Sequence, residues 1–380
     1  MTRPLTVFVA LLFVATACAS ASGALGGPLS GDTTEAGFGA AGVGFVTKAR
    51  PPDAGVVVVP PGGVQLSSAP GEAAFMVAHE RLVFAFQRRE GDWLEVITTC
   101  NDPAWVPAAA VQVMPQAVRS APGTSFDLGQ AVVVLDPGHG ARDLGGVGPT
   151  GLREKAVNLD IAERVQRLMR TSHDVDWITG AVTPGDRVSA IGSVWLTRAP
   201  TGPDAGDYEV GLGFRAELAN AAGADALVSI HNNTVPRGST EIPGSEVYYA
   251  VGAQGSDRLA GLIYDELLKS FASYSAEWTG GELLGARARV DPDTGDDYYG
   301  ILRRATMPAV IVEGVYISEA DQEALLETEA FRQSYAEAVY RGVVRFLTTD
   351  SQSDHVFAPE PFFADAGTVA SSGCEVPAQP

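Results

Sequence analysis

VVVLDPGHG, residues 132–140, decides how this chain is read. Four apolar residues lead into an aspartate, a proline and a histidine set between two glycines. An unbroken apolar run suits a strand buried on both faces, and the Pro-Gly pair ends it in a tight turn. That turn carries His139, a potential metal ligand, at its tip. A second apolar run, ALVSIHNN at 226–233, reaches His231 as it leaves the core. Two histidines at the ends of buried strands suggest a metal site at the rim of a sheet.

Working outward, strands and helices alternate. Strand 131–135 precedes a helix opening near Glu154, with Val157, Ile161, Val165 and Leu168 on one face. VWLT at 194–197 predicts a short strand, 211–222 a helix, 226–230 a strand, and EVYYA at 246–250 another. Helix 256–272 follows, then the buried strand AVIVEG at 309–314. A last helix over 321–347 is striped by Tyr335, Val339, Val343 and Phe346. The pattern predicts an α/β domain over 130–347, a mostly parallel or mixed sheet flanked by helices. The segments 179–193, 199–210 and 273–300 read as loops of the kind that line a site.

Residues 45–115 predict a small all-β, barrel-like domain. GVVVVP, GEAAFMVA, LVFAFQR and DWLEVIT are short apolar or alternating runs broken by turn residues. Their end, AWVPAAAV at 104–111, resembles the final turn and strand of bacterial Src-homology-3-like domains. Two uses stand for it: a module that binds wall peptide or a protein partner, and a packing unit. Residues 116–129 read as a linker. The polar tail 348–380 is expected to be poorly ordered except near Cys374.

The first residues carry an export signal. Arg3 precedes Leu5–Ala17, an apolar run of about thirteen residues, too short for an ordinary membrane span. Ala15-Thr16-Ala17-Cys18 resembles a lipoprotein signal that would lipidate Cys18 and anchor residues 19–44 as a flexible spacer. Conventional cleavage near Ala17–Ala21, giving a secreted protein, is the alternative. Residues 1–18 are thus read as an export signal: a lipoprotein would belong to the periplasm or cell envelope, and a conventionally cleaved protein would be secreted. In such a compartment Cys100 and Cys374 have the opportunity to pair; two unrelated thiols are the competing reading. With 46 acidic against 26 basic residues and a net charge of −20, a nucleic-acid partner is excluded.

His139, Glu154 and His231 stand where strand ends and a helix start converge. Two imidazoles and a carboxylate suit zinc and leave a position for water. Each residue also has a plain structural use, since a turn histidine bonds backbone and a glutamate favours a first helical turn. Their convergence points to a metal. Glu313, where AVIVEG leaves the core, is placed to take a proton from water and pass it to a leaving amine. Asp136 is expected to fix the turn or orient the His139 imidazole. Arg215 and Asn232 are expected to brace the fold or to touch substrate. His79, His173 and His355 have no companion pattern.

These residues lie in four blocks: VVVLDPGHGARDLGGVG, GLREKAVNLDIA, FRAELANAAGADALVSIHNN and LRRATMPAVIVEGVYIS. In this order they resemble the zinc-dependent N-acetylmuramoyl-L-alanine amidases of the bacterial cell wall, over about 131–347. The resemblance implies Zn²⁺ on His139, Glu154 and His231, with Glu313 as the catalytic glutamate. The implied substrate is peptidoglycan or its muropeptides, cleaved between the lactyl group of N-acetylmuramic acid and L-alanine. Val315 and Glu319 depart from the family's usual aromatic and asparagine; the glutamate itself is kept. A non-catalytic wall-binding lipoprotein and a zinc amidase of another acyl-peptide are the alternatives.

Overall fold

The computed structural model describes residues 54–116, 126–200, 208–235, 244–276, 285–363 and 374–378. Cys18, the signal and the 19–44 spacer lie outside the described residues. The expected all-β region forms one antiparallel sheet from β1 (Gly55–Val58), β2 (Val64–Ser67), β3 (Ala74–Ala78), β4 (Val83–Glu90), β5 (Trp93–Ile97), β6 (Pro103–Pro107) and β7 (Gln112–Pro115). The strand order is β3-β2-β6-β5-β4-β1-β7.

The central sheet is built from β8 (Val132–Pro137), β11 (Ser193–Leu196), β12 (Ala226–Asn233), β13 (Glu246–Tyr249), β14 (Gly285–Arg287) and β16 (Ala309–Tyr316). A hairpin of β9 (His173–Val175) and β10 (Val182–Pro184) stands apart from it. The order is β11-β8-β12-β16-β13-β14. The first four strands are parallel, β13 runs antiparallel to β16, and β14 parallels β13. The sheet is therefore mixed.

Alternation along each strand divides its side chains between two layers. Val133, Leu135, Val228, Ile230, Val310 and Val312 pack with helices α1 (Glu154–Met169), α3 (Ser256–Phe271) and α6 (Glu329–Thr348). Val132, Val134, Leu227 and Ile311 pack on the other side with α2 (Leu212–Ala222), α4 (Gly300–Arg304) and the N-terminal sheet. That second layer is one continuous apolar cluster, within a compact unit spanning Phe45–Pro380. Gln87 Nε2 donates to Glu217 Oε1 at 2.6 Å and Gln116 Nε2 to the Asn220 carbonyl at 3.0 Å, both on α2. The N-terminal sheet and the α2 layer of the central sheet therefore share a core.

Two expectations are corrected. The helix expected over 321–347 is two: α5 (Ala320–Leu326) ends, and Thr328 Oγ1 accepts from the Phe331 N–H at 3.2 Å to cap α6. The tail is not loose where it is described. Phe357 N–H donates to Ala286 O, Ala286 N–H to His355 O, and β17 (Glu360–Pro361) pairs with β15 (Arg289–Val290). Its backbone satisfies the free edge of β14, which a count of polar side chains does not reveal.

Candidate metal centre

The centre forms where β8, β12 and β16 end, on the side occupied by α2. β8 stops at Pro137 and the chain turns through Gly138, His139 (φ 63°) and Gly140 (φ 144°). A left-handed histidine is uncommon and needs support from its surroundings. Two buried arginines supply it. Arg215 donates from Nη1 to Pro137 O at 3.0 Å and from Nη2 to His139 O at 3.0 Å. Arg198 Nη2 donates to Gly138 O at 3.2 Å and Lys155 O at 2.9 Å. Gly138 has no room for a side chain: a Cβ there would lie 2.2 Å from the His231 ring.

The three expected ligands come together. One ligand atom from each of His139, Glu154 and His231 lies within 4.8 Å of the others. Glu154, 3 % exposed, faces both rings: its Oε2 is 3.1 Å from His139 Nε2 and its Oε1 3.1 Å from His231 Nδ1. The carboxylate also accepts from the N–H groups of Gly146 (2.6 Å) and Asn232 (3.0 Å) and from Asn158 Nδ2 (3.1 Å). Burial disfavours its ionised form, but the two histidines and these donors hold it well below the usual carboxylate range. Burial likewise opposes a charged His139, yet hydrogen bonds to Asp143 and Glu154 prevail and push it up to about 10.

Asp143 Oδ2 lies 2.9 Å from His139 Nδ1, which leaves Nε2 aimed at Glu154. The imidazole is thus oriented by Asp143 rather than by Asp136. Asp136 accepts from Arg215 Nη1 (2.6 Å), Ser229 Oγ (2.6 Å) and Thr197 Oγ1 (2.5 Å). Burial works against its charge, but Arg215, Ser229 and Thr197 outweigh that and keep its carboxyl low. Asp136 reaches the turn through Arg215. Asn232 points inward, its Nδ2 donating to Asn158 Oδ1 at 2.9 Å. Arg215 and Asn232 both brace ligands.

Glu313 completes the row. The parallel register sets His231 beside Glu313, and the antiparallel register sets Glu313 beside Glu246. Glu313 Oε2 is enclosed and has no hydrogen-bond partner among the described residues. Burial first, then the charges of Glu154 and Glu246, raise its carboxyl well above the usual range. Gly314 follows because Tyr335 fills the space a Cβ would need, at 2.3 Å. The Tyr335 hydroxyl donates to His231 O at 3.0 Å. A cavity of about 440 Å³ opens onto His139, His231, Glu313 and Tyr299.

Asp143, Arg198 and Glu246 escaped the sequence reading. Asp143 had a signal, lying four residues beyond His139. Glu246 accepts from Tyr248 (3.0 Å), Tyr316 (3.0 Å) and Arg287 Nη1 (2.9 Å) and carries a charge toward Glu313. Cys100 and Cys374 are joined as a disulfide.

A family model described as N-acetylmuramoyl-L-alanine amidase matches residues 133–345, more than half of the chain. The chain belongs to this amidase family. As a family member it is an amide hydrolase, and the matched span includes all four convergent residues. AmiA of Escherichia coli K12, an N-acetylmuramoyl-L-alanine amidase, is 28% identical over 266 residues, covering 62% of this chain and 83% of AmiA. LytC of Bacillus subtilis 168, named for the same activity, is 30% identical over 216 residues, covering 56% of this chain and 35% of LytC. Among solved structures, an N-acetylmuramoyl-L-alanine amidase from Clostridium difficile 630 aligns over 59% of this chain and 100% of its own, with 25% identity and a TM-score of 0.45.

Proposed function

We propose that this chain hydrolyses the amide between the lactyl group of N-acetylmuramic acid and L-alanine in peptidoglycan. The donor set of His139 Nε2, Glu154 and His231 Nδ1 fits a zinc ion: two nitrogens and one oxygen converge, and Asp143 fixes the tautomer of the first. A zinc ion bound there supplies Lewis-acid polarisation of the scissile carbonyl and makes water more acidic. The observation that carries the reading is the placement of Glu313, in register beside His231, with Oε2 unpaired among the described residues.

Glu313 has the role of proton carrier. Its carboxylate removes a proton from the attacking water as the water oxygen bonds to the lactyl carbonyl carbon. The C–N bond then breaks, and Glu313 returns that proton to the departing L-alanine nitrogen. The products are a lactyl carboxylate on the glycan and a peptide with a free amine. Burial and the neighbouring carboxylates raise the Glu313 carboxyl above the usual range, which makes its carboxylate a stronger base toward water in the first step.

Export through the 1–18 signal, as a lipoprotein on Cys18 or after conventional cleavage, brings the chain to its substrate. The N-terminal sheet reads as Src-homology-3-like. What supports this reading is the end of the sheet, where β6 is followed by a single turn at Ala108–Ala110 and then β7. The test is incubation of the purified protein with peptidoglycan. Peptides with a free L-alanine amine are expected, lost on chelation and restored by zinc. Cleavage between sugars or inside the peptide contradicts the bond assignment.

A further inference from the structure

The cavity over Glu313 has one wall that the metal chemistry does not use. It is lined by Cys100, Cys374, Glu209, Val210, Gly211 and Leu212. Three distant parts of the chain meet there. The turn after β5 presses on the entry to α2: Thr99 O accepts from the Gly211 N–H at 2.7 Å. A Cβ on Gly213 would come 2.5 Å from Asn101 Oδ1. From the C-terminal side, Cys374 Sγ lies 3.5 Å from the Glu209 carbonyl oxygen.

The C-terminal segment is held there at several points. The disulfide joins it to Cys100, the His79 N–H donates to Pro377 O at 2.9 Å, Ala78 bridges Ala378, and Val376 packs on the core. Leu212 reaches across to α4, where its Cδ2 sits 2.8 Å from the place of a Cβ on Gly300. Leu212 stays 52 % exposed on the cavity rim. An apolar side chain kept there, in a cavity lining it shares with the cystine and Val210, presents a surface that a ligand can cover.

We propose that this disulfide-braced wall is a substrate-specificity element of the amidase. Its apolar atoms pack against the two methyl groups that flank the scissile amide, one on the lactyl group and one on L-alanine. The inference rests on the amidase reading of the site. It assigns to the N-terminal sheet and the C-terminal segment a direct part in shaping the cleft.

The test separates the wall from catalysis. Binding of N-acetylmuramoyl-L-alanyl-D-isoglutamine to zinc-loaded full-length Glu313→Gln protein is measured by calorimetry, alone and with Leu212→Ala or Cys374→Ser added. Metal content is measured on each sample, and Leu212→Ala covers the case in which Cys374→Ser fails to fold. Weakening by about five- to tenfold with full metal content is expected, from the apolar contact removed. Affinities within about twofold of the starting protein, or weakening only where metal is lost, overturn the proposal. Failure of the amidase reading is read separately, as absent turnover by the protein with Glu313 intact.

Discussion

Glu313 stands in register beside His231, one strand over, so that a carboxyl group and an imidazole of the candidate metal centre share one end of the sheet. Parallel pairing fixes this neighbourhood through backbone hydrogen bonds rather than through side-chain contacts. A Glu313→Gln protein is therefore expected to fold and to keep its metal. Its turnover should fall by about 10²- to 10⁴-fold, the usual worth of general acid–base catalysis. Metal analysis and steady-state rates on peptidoglycan check this, and parental turnover would remove Glu313 from the mechanism.

Arg215 serves two carbonyls of the turn that carries His139 and the Asp136 carboxylate at once. A lysine keeps the charge but lacks the planar fork that spans these acceptors. Arg215→Lys should weaken metal binding by about 10- to 100-fold, as losses in the supporting layer of a metal site commonly do. Competition against a chromogenic chelator measures it. Unchanged affinity would mean that His139 holds its left-handed conformation without this brace.

Gly138 faces the His231 ring, and a methyl group there would lie 2.2 Å from it. Gly138→Ala should displace the ring and cost about 1–3 kcal/mol of stability through overpacking. Metal stoichiometry and thermal melting report the two effects independently. A variant with full metal content and a parental melting temperature would contradict the packing described.

Glu266, fully buried on α3, accepts from Arg341 Nε at 2.7 Å, Arg345 Nη1 at 2.9 Å and Lys269 Nζ at 3.0 Å. Burial raises its carboxyl, but these cations outweigh burial and lower it below the ordinary value of 4.5. A lowered folded-state value contributes stability that is present above the unfolded value and is lost as pH falls through the folded one. Glu266→Gln should therefore cost about 3–5 kcal/mol near neutrality, where it leaves Arg341 uncompensated. The gap to the parent should narrow as pH drops below 4.5. Denaturant titrations from pH 7 to 3 test this, and a gap independent of pH would contradict it.

The sheet was legible where apolar runs end in a polar residue. VVVLDPGHG, ALVSIHNN and AVIVEG each announce a buried strand and the group at its rim. What stayed hidden depends on contacts distant in sequence. Glu246 joins the row only because β13 lies antiparallel to β16, and a run such as EVYY does not state its direction. Arg198 acts through guanidinium bonds to carbonyls at Gly138 and Lys155, and an arginine after a short strand gives no sign of such acceptors. The tail looked unpacked because its side chains are polar, while its backbone carries the pairing. The break at Thr328 was present in the sequence as a capping residue, but the apolar stripe through α6 masked it.

The central claim, hydrolysis of the lactyl–alanyl amide, is tested most directly by running the zinc-loaded protein on peptidoglycan in ¹⁸O-water and analysing the products by mass spectrometry. The account predicts one ¹⁸O atom on the lactyl carboxylate of the glycan and an unlabelled peptide with a free L-alanine amine. Label in a peptide carboxylate, or on a sugar, would contradict it.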